Sequence, residues 1–468
     1  MWKSIAGWVS HQVRSERSRL LAAGMLPFSE LLPASYVERV LAEEQAPKRD
    51  CLYSPLVTLW TFLSQTLCTD HSCRQAVARL RAFLTADGQR PCAAETGPYC
   101  KARQKLPENV CARLACDAGH ALHQRVRDRK LLKGRPVKLV DGATVSMPDT
   151  AANQAEYPQS RSQKPGLGFP IARVVALLSL ASGAVLDLAV GRYAGKNTGE
   201  TALFRQLWRS LFPGDVVVGD RYFASYWDLV LLAMCGVDSV YRQHQLRLSA
   251  RLRVRRLGSG DWLLRLPKPQ RPPWIDRESY QRIPGELLVR EVSFRVRIRG
   301  WRVRQLTLVT TLCDADLYPL EELARVYHAR WQAEVDLRSI KITMQMDVLR
   351  CKTPDMVRKE IWMHLLAYNL IRTVMAEAAE RANMGPREVS FKGALQTLSA
   401  YRPLVERATP AQLPALYEDL LTAIASHVVG NRPNRYEPRA IKRRPKPHPL
   451  LTKPRHEAKR LLAVGLTD

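Results

Sequence analysis

The amino-acid sequence predicts a mixed α/β protein, because its pattern changes twice along the 468 residues. Residues 1–130 have the apolar spacing of helices. Three adjacent strand-like runs then begin at about residue 135, followed by alternating helix-like and strand-like runs. This succession is typical of a mixed sheet covered by helices. From residue 319 onward the helical spacing returns, so we expect helical regions on both sides of the sheet.

The composition is strongly basic, with 72 Lys and Arg against 44 Asp and Glu and a formal net charge of +28. Such an excess favours a polyanionic partner, because each neutralised phosphate releases counterions and adds affinity. The alternative is a merely basic globular protein. No run of about 18 apolar residues occurs, and the N-terminal segment is too polar for a secretory signal. We therefore expect neither a membrane span nor secretion.

The first 130 residues predict a compact helical module. Residues 56–67 and 73–84 have helix-period apolar faces, and Lys101, Arg103 and Lys105 form a basic edge on the helix that follows. A helical module with a basic edge suits recognition of DNA ends. A helical dimer module with solvated charges is the alternative.

Cysteine is concentrated in this region, where seven of the ten cysteines lie between Cys51 and Cys116. Without a signal peptide a reducing compartment is expected, which disfavours disulfides. Cys111, Cys116, His120 and His123 are close in sequence but have neither a CxxC pair nor a standard zinc-ligand spacing. We interpret them as residues of packed helices, with zinc as the alternative.

The central region is expected to form the sheet. In chain order the predicted elements are a strand at 137–147 that enters an Asp-Gly turn, two strands within 172–193, a helix at 198–212 capped by Thr198, a strand at 215–220, a helix at 224–235 and a strand at 237–243.

Residues 244–312 interrupt this alternation and predict an inserted β-subdomain. In FRVRIRG and WRVRQ arginines alternate with apolar residues, which makes one strand face cationic. That face suits a nucleic-acid backbone; a solvated face that protects a sheet edge is the alternative. Trp262, Trp274 and Trp301 lie in this segment, and packing beneath the β-layer is the ordinary role for each.

Helices are predicted again after the insertion. Residues 320–346 are the longest helix candidate, a helix at 361–382 follows, and shorter helices extend to residue 429. The Pro-rich, basic tail at 431–460 is expected to be extended rather than packed.

Two acids stand where apolar strands end: Asp141 after KLV, and Asp220 after VVVG. Sites in open α/β folds form at such strand ends. Taken singly each acid is weak evidence, because Asp is common in turns.

A polar stripe follows the predicted helix 320–346. At about 100° per residue, Tyr327, Arg330, Glu334 and Lys341 fall on one face. By geometry alone a salt-bridged surface helix is the favoured interpretation, because Arg330 and Glu334 form an ordinary i,i+4 pair.

The spacing of this stripe, Y-x2-R-x3-E-x6-K, resembles the YREK signature of the DDE transposases of bacterial insertion sequences. This is the group that includes the cut-and-paste transposase of the kanamycin-resistance transposon. Asp141 in VDGATV and Asp220 in GDRYF resemble the first two acids of the family. The segments CKARQKLP and NRPNRYEPR also match, so the resemblance spans nearly the whole chain.

The resemblance implies a ribonuclease-H-like mixed-sheet catalytic core at 131–360, with the β-insertion at 244–312. A helical DNA-binding domain at 1–130 and a helical dimerisation region with a basic tail at 361–468 would flank it. It further implies catalysis by Asp141, Asp220 and Glu334 with two Mg²⁺ ions, for which Mn²⁺ would substitute. Carboxylates suit this hard ion, and two ions stabilise the attacking and leaving oxygens of a phosphodiester.

The stripe gains a role in this interpretation. Tyr327, Arg330 and Lys341 would bind phosphates near the cleaved end, helped by Arg221. Together with Lys101 and Arg103 these are the expected DNA-binding residues. The expected partners are double-stranded DNA of the transposon ends and target, and a second copy of the chain in the end complex. A bacterial cytoplasmic, nucleoid-associated location follows.

The implied reaction is hydrolysis of one strand at the transposon end, followed by attack of the freed 3′-OH. In relatives this 3′-OH attacks the opposite strand and forms a hairpin. Hairpin formation in those relatives also uses a flipped base that stacks on a tryptophan of the insertion. Three alternatives remain: a nuclease of the same fold without strand transfer, a non-catalytic or degenerate DNA-binding protein, and a tyrosine recombinase that uses Tyr327. The last is disfavoured because that chemistry needs several Arg and His residues around the tyrosine and no metal-binding acids.

Overall fold

The computed structural model describes residues 31–47, 51–68, 70–86, 88, 90–126, 131–244, 249–295, 305–405, 408–409, 411–430 and 449–464. Within these ranges one mixed β-sheet forms the centre of the molecule, and helices precede and follow it along the chain. The mixed α/β class and the helical flanks predicted from the sequence are confirmed.

In this sheet a group of three antiparallel strands lies next to two strands that run parallel to each other. Its strands are β1 (Val137–Ser146), β2 (Ile171–Ser179), β3 (Val185–Arg192), β4 (Val216–Gly219), β5 (Asp238–Arg242), β6 (Arg253–Gly258), β7 (Asp261–Pro267), β8 (Glu286–Arg295) and β9 (Gln305–Thr310). Their order is β3-β2-β1-β4-β5-β9-β8-β7-β6. β1 to β3 form an antiparallel meander, β4 is parallel to β1, and β5 is parallel to β4.

The central strands are apolar on both faces because helices cover both. β4 is buried along its whole length, as expected of a strand between two covered faces. Successive residues of β1 point to opposite faces. Leu139 accordingly joins one hydrophobic cluster, whereas Val140 joins a second cluster that contains Phe204 and Phe223.

The predicted β-insertion is part of the same sheet. β9 pairs antiparallel with β5, with Val240 opposite Thr310, and β8, β7 and β6 follow outward. The insertion therefore extends the central sheet, which no local pattern in the sequence predicts, because the β5–β9 pairing joins residues far apart along the chain. The outermost strand, β6, exposes Arg253, Arg255 and Arg256. Most of the alternating arginines, at 296–304, lie outside the described residues.

The helices before and within the sheet are α1 (Ala34–Glu43), α2 (Pro55–Thr66), α3 (Cys73–Ala86), α4 (Gly97–Lys105), α5 (Glu108–Arg125), α6 (Ala151–Glu156), α7 (Glu200–Gln206), α8 (Tyr226–Met234) and α9 (Arg277–Arg282). The helices after it are α10 (Leu320–Ala329), α11 (Trp331–Arg338), α12 (Pro354–Arg381), α13 (Phe391–Val405), α14 (Leu413–Ala425) and α15 (Arg455–Ala463).

The helix predicted at 320–346 is interrupted. α10 ends at Ala329, α11 begins at Trp331, and the turn Ser339–Thr343 has π-helical hydrogen bonding. α12, with 28 residues, is the longer element. It begins at Pro354, so the boundary expected at residue 360 falls inside a helix. Arg330 of the polar stripe lies at the interruption between α10 and α11, where its guanidinium contacts Asp141 of the sheet.

α12 joins the helical N-terminal region to the sheet. Its Asn369 donates through Nδ2 to the carbonyl oxygens of Ala115 on α5 and Val185 on β3, both at 2.8 Å. Gly119 lets α5 approach this closely, since a Cβ there would lie 2.1 Å from the Val185 oxygen. One continuous hydrophobic core therefore crosses both boundaries that the sequence suggested.

The C-terminal tail is partly helical. α15 occupies Arg455–Ala463, where an extended chain was predicted, and Ala458 is buried. Residues 431–448 lie outside the described residues. None of the described helices has the length and apolar character needed to cross a membrane.

Candidate active site

Asp141 and Asp220 follow neighbouring parallel strands at the point where those strands separate. The pairing of β1 with β4 ends at Leu139 and Val218. Each acid stands two residues further on, so the same register sets one acid beside the other. The predicted Asp-Gly turn was wrong, since β1 continues to Ser146 along β2. Asp141 instead lies where β1 loses β4 as its partner.

The carboxyl of Asp141 is perturbed by its surroundings. Its side chain is only 19% exposed, and burial raises its pKa to about 6 because the charged form loses hydration. The Gly142 N–H, 2.9 Å from Oδ1, and the Arg330 guanidinium act against this rise. Glu334 and Glu200 add to it, so three carboxylates share one electrostatic neighbourhood.

Asp220 is held by the turn that it begins. Its Oδ1 accepts a hydrogen bond from the Arg221 N–H at 2.7 Å, which caps a short 3₁₀ turn, Arg221–Phe223. Phe223 anchors this turn in the core against Phe204, with ring centroids 5.4 Å apart. Arg221 is half-buried, next to the acid as the sequence requires, with its guanidinium 5.4 Å from the Tyr222 ring.

Arg330 links the first and third acids. Its Nη2 lies 2.7 Å from Glu334 Oε1, and its Nη1 lies 3.8 Å from Asp141 Oδ2. The Arg330 side chain is 17% exposed, whereas the Glu334 side chain is 40% exposed. The i,i+4 pair is thus not an isolated surface pair, because its cation also faces an acid of the sheet.

Tyr327 lies beneath this pair. It is 8% exposed, and burial raises its pKa to about 12, with the Asp220 charge adding to the rise. Its ring centroid is 6.0 Å from the Arg330 guanidinium. The phenol therefore keeps its proton near neutral pH and is a hydrogen-bond donor.

An open cleft of about 520 Å³ lies beside the acids. Asp141, Glu334 and Lys341 meet there, whereas Asp220, Arg221 and Tyr327 lie outside its lining. Its lining residues are Asp141, Gly142, Ala143, Thr144, Arg173, Tyr193, Glu200, Glu334, Leu337, Arg338, Lys341 and Ile342. The structure therefore brings part of the predicted stripe and one strand acid to a common surface.

Glu200 is a residue of this cleft that the sequence analysis missed. It is the first residue of α7, whose N-cap is Gly199 rather than the predicted Thr198. A Cβ on Gly142 would lie 2.8 Å from Glu200 Cδ and Oε1, so the absent side chain of Gly142 makes room for this carboxylate. The only signal in the sequence was an acid at a helix start, which is common because it complements the helix dipole.

The donor set fits a hard divalent cation, since Asp141, Asp220 and Glu334 offer only carboxylate oxygens. Among the described residues no group of three or more His, Cys, Asp or Glu has its side chains arranged as a ligand cage. The Arg330 guanidinium supplies positive charge to both Asp141 and Glu334.

The two basic residues expected in the N-terminal module differ in placement. Lys101 is exposed on α4. Arg103 is 7% exposed; its guanidinium donates to Gln65 Oε1 at 3.1 Å and lies 4.8 Å from the Phe62 ring. This placement does not fit the expected DNA contact. The one-residue spacing that suggested a shared basic edge sets Arg103 on the opposite, packed side of the helix.

Two of the three tryptophans of the insertion are described. Trp262 lies between two arginines of β6, with Arg253 5.0 Å and Arg256 5.7 Å from its ring centroid. Trp274 is 42% exposed and lies 3.7 Å from the guanidinium of Arg205. Trp301 lies outside the described residues.

The four residues weighed for zinc have separate surroundings. Cys111 is fully buried in the core, and Cys116 Sγ is 3.9 Å from Asp187 Oδ1. His120 packs edge-on against Phe212, and His123 Nδ1 lies 2.9 Å from Ser179 Oγ. These contacts fit the interpretation of packed helical residues.

Known proteins similar to this chain are transposases. The family model described as "Transposase DDE domain" matches residues 132–370. Transposase InsG for insertion sequence element IS4, from Escherichia coli strain K12, is 29% identical over 434 residues, which cover 91% of this chain and 93% of that protein. Putative transposase InsL for insertion sequence element IS186A, from the same strain, is 34% identical over 68 residues, 14% of this chain and 18% of that protein.

A solved structure, the piggyBac transposase synaptic complex with hairpin DNA, is similar with a TM-score of 0.41 at 10% identity. The similarity covers 88% of this chain and 86% of that chain.

Proposed function

The chain belongs to the transposase DDE domain family, and we propose that it cuts the ends of an insertion sequence and joins them to target DNA. Asp141, Asp220 and Glu334 are the catalytic acids of this proposal, with two Mg²⁺ ions as cofactor and Mn²⁺ as a substitute. The main support is that Asp141 and Glu334 approach the same guanidinium in one cleft, although 193 positions separate them in the sequence.

The acids contribute charge and oxygen ligands, and the metal supplies Lewis-acid stabilisation of the oxygens that enter and leave the phosphorus. Asp141 and Asp220 extend from adjacent strands whose register is fixed by the buried sheet. Glu334 comes from a helix, and its side chain is 40% exposed, compared with 19% for Asp141. It therefore has more freedom than Asp141 to turn from Arg330 toward a cation.

The remaining residues of the stripe bind phosphate in this proposal. Arg330 presents a planar fork, Lys341 a point charge and Tyr327 a protonated hydroxyl, three donors that complement phosphodiester oxygens. Arg221 and Lys101 are further DNA contacts. Arg103 is left out because its side chain is packed internally.

We assign β1 to β5 with their helices to the ribonuclease-H-like core. The support is three consecutive antiparallel strands followed by parallel strands separated by a helix. The helical region before it is assigned to DNA-end binding, and the region after it to dimerisation. A hairpin step, with a flipped base stacked on a tryptophan of the insertion, is part of the proposal, and hairpin products of cleavage would reveal it. The candidate tryptophans are Trp262, Trp274 and Trp301.

Double-stranded DNA is the proposed partner, because the +28 charge suits a polyanion. A homodimer that pairs two ends, in the bacterial nucleoid, completes the proposal. The alternatives are the nuclease without strand transfer, the degenerate binding protein and the tyrosine recombinase. Each predicts a different product from the same end DNA.

The test is Mg²⁺-dependent cleavage of labelled DNA taken from the sequence flanking the gene. We expect nicked and joined products from the wild type, and none from Asp141→Asn, with end binding retained. Asp149→Asn is the matched control, because Asp149 is exposed and lies outside the cleft. Cutting by Asp141→Asn, or loss of a covalent adduct in Tyr327→Phe, would refute the proposal. Binding without cutting by the wild type would favour the degenerate protein.

A further inference from the structure

Cations line both walls of the cleft, and those of one wall are absent from the YREK stripe. Arg338 and Lys341 belong to the helical wall, on α11 and the π turn. Arg173, on β2, belongs to the other wall together with Tyr193. Asp141 and Glu334 thus share the cleft with cations from two walls, of which the stripe explains only one.

The sheet register places Arg173 on the far side of β1 from Asp141. Arg173 pairs with Thr144, and paired residues of antiparallel strands share a face. Asp141 and Thr144 are three residues apart, so they point to opposite faces. Arg173 and Asp141 nevertheless both line the cleft.

Contacts on the protein side fix the orientation of Arg173. Its Nη1 donates to the carbonyl oxygen of Thr198 at 3.2 Å, and its guanidinium lies 5.3 Å from the Tyr193 ring. The side chain is half-buried. A guanidinium has five N–H donors, so most of its donors remain available. A fork held in place loses little conformational entropy when an anion binds.

Arg173 differs from neighbouring arginines in having no carboxylate partner. Arg192 pairs with Glu156, Arg205 with Asp228 and Arg209 with Asp187. Across the part of the chain that the structure describes, Arg173 forms no ion pair, even with Glu200, which lines the same cleft. A half-buried cation without a counter-charge is suited to an anionic ligand from outside.

We propose that Arg173 binds a backbone phosphate of the DNA strand on the opposite side of the catalytic acids from Lys341. The inference rests on the proposed function, since it assumes that the cleft receives DNA. The scissile phosphodiester lies between the two contacts, so Arg173 and Lys341 hold the strand on either side of it. Positions on both sides fix the strand direction across the acids, which a contact on one side does not.

The test measures binding to uncut DNA, so it does not depend on catalysis. The full chain, with Ca²⁺ in place of Mg²⁺, is titrated into a fluorescent duplex made of the DNA terminus flanking the gene. We expect Arg173→Gln to weaken binding about tenfold and to lower the slope of log affinity against log salt by about one. Arg192→Gln, which removes an exposed arginine of the adjacent strand, should stay within about twofold.

A second measurement locates the contact. Ethylation of single phosphates should reveal one position that weakens the wild type but has no further effect on Arg173→Gln. If Arg173→Gln binds with wild-type affinity, salt slope and ethylation pattern, the inference is wrong. If Arg173→Gln does not fold, Arg173→Met decides, because it also removes the charge and keeps an unbranched side chain. Weaker binding with a lower salt slope supports the contact, and wild-type affinity and salt slope overturn it.

Failure here is separable from failure of the proposed function. Cutting that survives Asp141→Asn refutes the catalytic proposal whatever Arg173 does. Cutting that depends on Asp141, combined with wild-type binding by Arg173→Gln, refutes only the phosphate contact.

Discussion

At the scale of single residues, Asp141 combines a costly burial with a proposed role that needs its charge. Its pKa is raised to about 6 from 3.8, mainly by loss of hydration. A group whose folded pKa is raised stabilises the fold below its unfolded pKa, and that contribution is lost as the pH rises through about 6. At pH 8 the ionised carboxylate therefore destabilises the protein.

We expect Asp141→Asn to stabilise the metal-free protein at pH 8, by at most about 3 kcal/mol, because one pKa unit equals about 1.4 kcal/mol. The difference should shrink on acidification and be largely gone near pH 4. Urea unfolding in EDTA across this range measures it, with Asp149→Asn as the control that stays near zero. A variant less stable than the wild type at pH 8 would contradict the assignment.

Arg330 is expected to compete with the metal for the same carboxylates. A charge-assisted hydrogen bond is worth about 1.5–3 kcal/mol, so its removal should tighten metal binding by roughly tenfold or more. We predict that Arg330→Gln binds Mn²⁺ more tightly than the wild type in the absence of DNA, measured by the EPR signal of free Mn²⁺. The same variant should bind end DNA more weakly.

Arg325→Gln is the matched control, since Arg325 is exposed on α10 and outside the cleft. Its Mn²⁺ affinity should equal that of the wild type. Equal or weaker Mn²⁺ binding by a folded Arg330→Gln would show that the arginine does not compete with the metal.

At the scale of elements, the position of the Glu334 helix depends on a buried ion-pair cluster. Asp336, on α11, is fully buried and pairs with Arg372 at 2.5 Å and Arg387 at 2.7 Å. Arg387 also donates to the carbonyl oxygens of Ser179 and Leu180, at the turn after β2. The acid two residues after Glu334 thus fixes α11 to α12 and to the sheet.

Asp336→Asn should leave one buried guanidinium, that of Arg372, and one half-buried guanidinium, that of Arg387, with a single neutral acceptor, and destabilise the fold by about 3–5 kcal/mol. Urea unfolding measures the loss, and DNA cleavage should fall with it as Glu334 moves. Asp316→Asn, at an exposed position after β9, should change neither. A loss below about 1 kcal/mol for Asp336→Asn would mean that the helix is held by its apolar face alone.

At the scale of the whole molecule, the sequence predicted the strands and not their arrangement. β1 to β5 were recognisable because buried strands such as VVVG are short apolar runs. The β5–β9 pairing was not, because its residues are about 70 positions apart and no local pattern encodes them. That the strands within residues 244–312 continue the same sheet was therefore visible only in the structure.

The candidate site divides in the same way. Asp141, Asp220 and Glu334 could be proposed from the sequence because strand ends and a spaced signature are local features. Glu200 and Arg173 were missed because their importance arises only from proximity to Asp141 in the cleft. Arg103 was misjudged because helical periodicity over nine residues of α4 did not reveal which face would pack.

The pairing of β5 with β9 also has a consequence for biosynthesis. Until the ribosome has released Thr310, β5 has an open edge, and edges of this kind recruit strands from other chains. Nascent chains that stall within residues 244–304 would expose it for longest. Slow closure of a sheet by long-range pairing is the circumstance in which chaperones protect a polypeptide. The nascent chain is thus most vulnerable to aggregation while residues 244–304 are being translated.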